Sequence, residues 1–242
     1  MMALLQQEVP SLAEQFEGQT AEEVLAWALE RFHPRIAIAS SFQTEGMVLL
    51  DMAWRIQPRV RVFTLDTGRL PQETYDMMDR VRDRYGVSLE VLLPDAAEVE
   101  RMVRTKGLNL FYESVENRQL CCAIRKVNPL RRQLASLDAW ITGLRRDQWA
   151  SRANVPKIET DAANGGILKL NPLADWSREQ LDAYVQKHSV PQHRLYSKGY
   201  TSIGCLPCTR ATQPGENRRA GRWWWEQGLH KECGLHVGDK EP

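Results

Sequence analysis

Ile36-Ala37-Ile38-Ala39-Ser40-Ser41-Phe42-Gln43-Thr44-Glu45-Gly46 is the stretch whose reading decides the fold. Four apolar residues in a row predict a short strand buried on both faces, as in a parallel sheet. Two serines then break the run, and Met47, Leu50, Met52 and Trp54 carry on at helical spacing. A strand, a hydroxyl-rich turn and a helix start form a corner where free helix N–H groups can face an anion. The same serines would also serve as an ordinary helix cap, so both readings stand at this point.

Working outward, Thr20-Ala21-Glu22-Glu23 reads as a capping box, and Val24, Leu25, Ala28, Leu29 and Phe32 predict a helix ending before Pro34. Downstream, Val60–Leu65 alternates as a second strand with Asp66-Thr67-Gly68-Arg69 at its carboxyl end, and Pro71 suits the first turn of a helix running to about Tyr85. Ser88–Leu93 is a third strand, Asp95 opens a helix that Gly107 can close, and Pro129 to Leu137 is helical. Ala139-Trp140-Ile141-Thr142-Gly143 is a fourth strand, followed by a basic loop with Arg145, Arg146 and Arg152. Asp161–Gly166 reads as a plain loop, Ile167–Pro172 as a further strand, and Ser177 caps a helix to about His188. This alternation predicts an α/β fold with an open, mostly parallel sheet. Loops at the carboxyl ends of such strands bind ligands, so Asp66 and Arg69 are candidates, with a plain helix-capping loop as the alternative.

The chain has 242 residues, 43% hydrophobic, enough for a real core within one α/β unit over 1–242. Within it, 34–190 would be a nucleotide-binding core. The segment 191–242 is loop-rich and needs something to order it, which a metal centre would do. Its Trp223-Trp224-Trp225 run reads as packing. Basic residues number 32 against 31 acidic ones, so overall charge predicts neither a nucleic-acid nor a membrane partner. Local pairs such as Arg125-Lys126 and Arg218-Arg219 suit a small anion better than a polyanion. No basic leader region and no run of ~20 apolar residues is present, which predicts a cytoplasmic, reducing setting.

In that setting the five cysteines bind metals or react. Cys205-Leu206-Pro207-Cys208 is a clamp for zinc or an iron–sulfur cluster, and by itself also a redox dithiol. Cys121-Cys122 is a tandem pair whose side chains diverge, which suits the separate corners of a four-iron cube better than one zinc ion. If the segment is helical, Lys126 lies one turn beyond Cys122. Cys233 is left over, with Gly234 beside it and Lys231 and His236 near enough in sequence to favour thiolate.

With these residues on the page, the sequence resembles one family, the assimilatory reductases of adenylyl sulfate. The resemblance runs from about Ile36 to His236. It rests on Leu65–Arg69, Cys121-Cys122 with Arg125-Lys126, Ile141–Gln148, Ile203–Arg210, Gly221–Trp225 and the Glu232–His236 tail. It implies the adenine-nucleotide alpha-hydrolase-like fold, with Cys121, Cys122, Cys205 and Cys208 ligating a [4Fe-4S] cluster. It implies that Cys233 attacks the sulfur of adenosine 5′-phosphosulfate, with His236 in support, and that reduced thioredoxin discharges the adduct as sulfite. Ser40, Ser41, Asp66, Thr67, Gly68, Arg69, Gly143, Arg145 and Arg152 would line the nucleotide site, and Lys126, Arg219 and Arg222 would contact the phosphosulfate. Phe42 departs from the pattern, standing where the first nucleotide-binding turn usually has glycine. A related branch reduces the 3′-phosphorylated substrate but generally lacks both cysteine pairs. The chain runs only to Pro242 after Cys233, so the reductant is expected from a separate protein, and a homo-oligomer is compatible with the sequence. Two competing readings are an ATP-dependent tRNA thiolase, whose SGGxD loop the Ser40–Glu45 segment does not match, and a redox or metal sensor without nucleotide affinity.

Overall fold

The computed structural model describes residues 2–149, 152–226 and 234–235, with side chains from residue 8 onward. The elements in order are α1 (Met2–Glu17), α2 (Ala21–Phe32), β1 (Ile36–Ala39), α3 (Thr44–Ile56), β2 (Arg61–Leu65), α4 (Gln72–Tyr85), β3 (Leu89–Leu92), α5 (Ala96–Lys106), α6 (Val115–Cys122), α7 (Asn128–Leu134), β4 (Ala139–Ile141), β5 (Ile158–Asp161), β6 (Ile167–Leu170) and α8 (Arg178–His188). The sheet order is β3-β2-β1-β4-β6-β5. β1 pairs in parallel with β2 and β4, and β4 with β6, while β5 runs antiparallel to β6 at the edge. Asp161 therefore ends a strand rather than opening a loop, and the helix expected to reach Leu137 stops at Leu134.

The chain divides into two compact units. The first comprises Met1–Thr64, Met77–Glu90 and Leu134–His193, and the second Leu65–Asp76, Val91–Gln133 and Arg194–Pro242. No helix among the described residues is long and apolar enough to cross a membrane.

In the first unit the local signals act as written. Thr20 Oγ1 accepts from Glu23 N–H while Glu23 Oε2 accepts from Thr20 N–H, closing the capping box that starts α2. Val24, Leu25, Ala28 and Leu29 are the buried stripe of α2, and Met47, Val48, Leu49 and Leu50 are buried on α3. β1 is apolar and buried at Ile36, Ala37 and Ile38, because strands pair with both of its edges and α2 and α3 pack against it. The chain leaves β1 toward β2 and later enters β4 on the opposite flank of β1. That reversal opens a crevice at the carboxyl ends of β1 and β4, the usual ligand position of such sheets.

In the second unit the core is Met102, Leu110, Phe111, Cys205, Cys208 and Trp223, with Val103, Cys121, Ile124 and Trp225 packed against it. Cysteines of both pairs thus belong to the packing of this unit.

Candidate functional site

The first unit presents the corner after β1. Ser40 is buried, and its Oγ accepts from the Phe42 N–H at 3.1 Å, while Ser41 is exposed and its Oγ accepts from Gln43 Nε2 at 2.9 Å. The N-cap of α3 is Gln43, which makes no side-chain cap hydrogen bond, so the serines shape the turn without capping the helix. Phe42 is fully buried with a backbone φ of +57°, in the left-handed region that a glycine would take without cost.

Close approach of the next loop needs Gly143. A Cβ there would stand 2.8 Å from Glu45 Cβ and 3.4 Å from the Gly46 nitrogen. Glu45 accepts from Arg145 Nε at 3.3 Å and Gln148 Nε2 at 3.2 Å. Arg145 is fully buried, and its Nη1 also donates to Asp147 at 2.7 Å and to the Trp176 carbonyl at 2.8 Å. Its guanidinium is thereby tied to Glu45, Asp147 and the Trp176 carbonyl within the protein. Arg152 Nη1 donates to Gln148 Oε1 at 2.6 Å. Ser40, Ser41, Gly143, Arg145 and Arg152 therefore belong to one neighbourhood, joined by Glu45 and Gln148, which sequence reasoning missed.

The second unit holds the cysteines. α6 carries Cys121 and Cys122 at its end and passes through a π turn over Ala123–Val127, where Asn128 N–H donates to the Ala123 carbonyl, before α7. Such turns inside helices recur at functional sites because they re-aim side chains. All four cysteines line one pocket together with Arg69, Arg118, Arg125, Lys126 and Arg222. Among the described residues no group of three or more His, Cys, Asp or Glu side chains is arranged to hold a metal ion. Among the described residues Arg125 Nε and Arg222 Nε are buried without a hydrogen-bond partner.

The thiols differ electrostatically. Burial pushes Cys208 up to about 12, helped by the neighbouring Cys205, and burial also raises Cys121. Burial would raise Cys205 too, but the Lys126 charge and the hydrogen bond with Thr67 Oγ1 at 3.2 Å hold it below the ordinary thiol value. Thr67 also accepts at its carbonyl from Arg125 Nη1 at 2.6 Å. In the same loop Asp66 Oδ1 accepts from Gly68 N–H at 2.8 Å and from Tyr75 OH at 2.9 Å. Burial and Asp66 push Tyr75 up to about 12, so it stays a donor at neutral pH. Arg69 lies 5.1 Å over the Phe111 ring. Arg219 is part-buried and is not among the pocket's lining residues, whereas Arg222 is. Cys233 and His236 lie outside the described residues. Arg118, also missed, is the cation of a buried ion pair with Glu226, a partner too distant in sequence to be read from spacing.

Comparison with known proteins returns the sequence family described as phosphoadenosine phosphosulfate reductase domain, matched over residues 35–211. The adenosine 5′-phosphosulfate reductase of Burkholderia cepacia is 49% identical over 228 residues, covering 94% of this chain and 90% of that protein. The enzyme of the same name from Pseudomonas aeruginosa strain LESB58 is 43% identical, covering 96% and 88%. Among solved structures, phosphoadenylyl-sulfate reductase from Candida auris, in its phosphate complex, superposes with a TM-score of 0.73 at 29% identity, over 85% of this chain and 97% of that one. Yeast FAD synthetase, at 15% identity and a TM-score of 0.56, shares the fold alone.

Proposed function

The chain belongs to the phosphoadenosine phosphosulfate reductase family, among its adenosine 5′-phosphosulfate reductases, and from that premise we propose that it reduces adenosine 5′-phosphosulfate to sulfite and AMP in the assimilation of sulfate. The observation that carries this reading is the gathering of both cysteine pairs into one pocket walled by five cationic side chains.

In the proposed reaction the Cys233 thiolate attacks the sulfur of the substrate. The new S–S bond forms as the bond from sulfur to the bridging phosphate oxygen breaks, and AMP leaves with that electron pair. The enzyme is left as a Cys233 thiosulfonate. One thiolate of reduced thioredoxin then attacks Cys233 Sγ and releases sulfite. The second thioredoxin thiol closes that mixed disulfide, returning Cys233 as thiolate and completing the two-electron reduction. AMP departs as a stable anion, so the chemistry asks for cations near the phosphate rather than a strong general acid. Arg222 and Lys126 supply positive charge in the pocket, Arg219 comes from the same stretch as Arg222, and Arg152 is held by Gln148 near the β1 corner.

Cys121, Cys122, Cys205 and Cys208 would hold a [4Fe-4S] cluster. Four thiols around a common space, with two buried arginine Nε groups that lack partners among the described residues, fit an anionic thiolate-bound group. When bound, it would supply structural order and electrostatics, because both electrons come from thiols. The deciding experiment is intact mass of anaerobically purified protein mixed with adenosine 5′-phosphosulfate and no reductant. A gain of one SO₃ on the Cys233 peptide, discharged by reduced thioredoxin, is expected; no adduct with undegraded substrate would overturn the reading.

A further inference from the structure

Arg118 and Glu226 are both buried, with side chains 1% and 7% exposed. Arg118 Nε and Nη2 donate to the two Glu226 oxygens at 2.8 and 3.1 Å, a forked geometry that fixes orientation as well as distance. Stability alone does not explain such a pair, since apolar side chains of equal volume would often serve as well. What the pair fixes is register. Arg118 stands four positions before Cys122 on α6, and Glu226 ends the stretch from Arg222, whose Trp223 N–H donates to the Cys208 carbonyl at 3.1 Å.

Between the two lies a stack. The guanidinium carbons of Arg118 and of Arg222 are each 4.6 Å from the Trp223 ring centre. Trp223 has a φ of +44°, a conformation a bulky residue keeps only when its surroundings over-determine it. Arg222 in turn lies against Gly204, where a Cβ would stand 2.4 Å from Nη2, and its Nη1 donates to the Ile203 carbonyl at 3.2 Å. A flat guanidinium pressed on a glycine and an indole has its position set by both.

We propose that Arg118 and Glu226 are positioning residues for Arg222, acting through Trp223. The pair sets the indole, and the indole with Gly204 aims the guanidinium that meets the substrate's phosphosulfate. This rests on the reading of Arg222 as a substrate contact, and the test separates the two. In full-length Cys233→Ser protein matched for iron content, binding of adenosine 5′-phosphosulfate is measured for the parent, Glu226→Gln, Arg222→Ala and the double variant. Glu226→Gln is expected to weaken binding about tenfold with Arg222 present and less than about twofold without it. No loss, or equal loss in both backgrounds, would overturn the proposal. Phenylglyoxal modification of Arg222, followed by peptide mass, is read in parallel. It is expected to run at least about fivefold faster in Glu226→Gln and in Arg118→Lys, since a guanidinium released from its stack becomes accessible. If Arg222→Ala binds substrate like its parent, the substrate-contact reading fails and the modification rates alone decide; unchanged rates would then overturn the positioning role.

Discussion

At Phe42 two residue-level terms oppose each other. A left-handed backbone costs a non-glycine residue about 1–2 kcal/mol, which glycine would recover. The ring is completely buried, and deleting a buried phenylalanine costs about 3–5 kcal/mol. Burial wins, so Phe42→Gly is expected to be less stable by about 2–3 kcal/mol in urea unfolding; a more stable variant would show that the strain dominates. The sequence marked Phe42 as a missing glycine. The chain supplies the left-handed turn regardless, and the packing of the ring holds it there.

Among elements, the contact of α3 with the loop after β4 decides the shape of the corner after β1. Gly143 permits the approach, and the buried Arg145 ties Glu45 of α3 to Asp147 and to the Trp176 carbonyl. Removing one side of a buried ion pair costs about 3–5 kcal/mol because the other charge stays behind. Glu45 is 12% exposed, which puts Arg145→Met at the lower end, about 3 kcal/mol. Calorimetry should also find AMP bound about tenfold more weakly, as loss of register usually costs in a preorganised site. A loss of stability with unchanged AMP affinity would restrict the network to a structural role. A basic loop at the carboxyl end of a strand was legible from Arg145, Arg146 and Arg152. That Arg145 turns inward was not, because its partner Glu45 is contributed by another element. The edge strand β5 escaped notice for a related reason: Ile158–Asp161 is made a strand by antiparallel pairing with β6, and no apolar run announces it.

For the molecule as a whole, the two units differ in what holds them. The first rests on a sheet with buried apolar strands and helices, whereas much of the second is loop around a core that includes Cys205 and Cys208. Binding energy of a metal centre is folding energy for the segment that ligates it. With the proposed cluster as that centre, anaerobic treatment with an iron chelator is therefore expected to remove hydrogen-exchange protection from residues 91–133 and 194–226 while β1, β4 and β6 keep theirs; uniform retention would overturn a structural role for the proposed cluster. By itself the sequence determined the order of β1 to β4 and β6 and of α2 to α5, α7 and α8, the α2 cap, the corner after β1 and the grouping of cysteines into two pairs and one remainder. Those follow from periodicity, capping and spacing, which act over a few residues. Only the tertiary structure decided that both pairs share one basic pocket, that Lys126 reaches Cys205 from a π turn, and that Arg118 meets Glu226 across more than a hundred positions. These depend on which surfaces the folded chain brings together, and no local pattern carries that information.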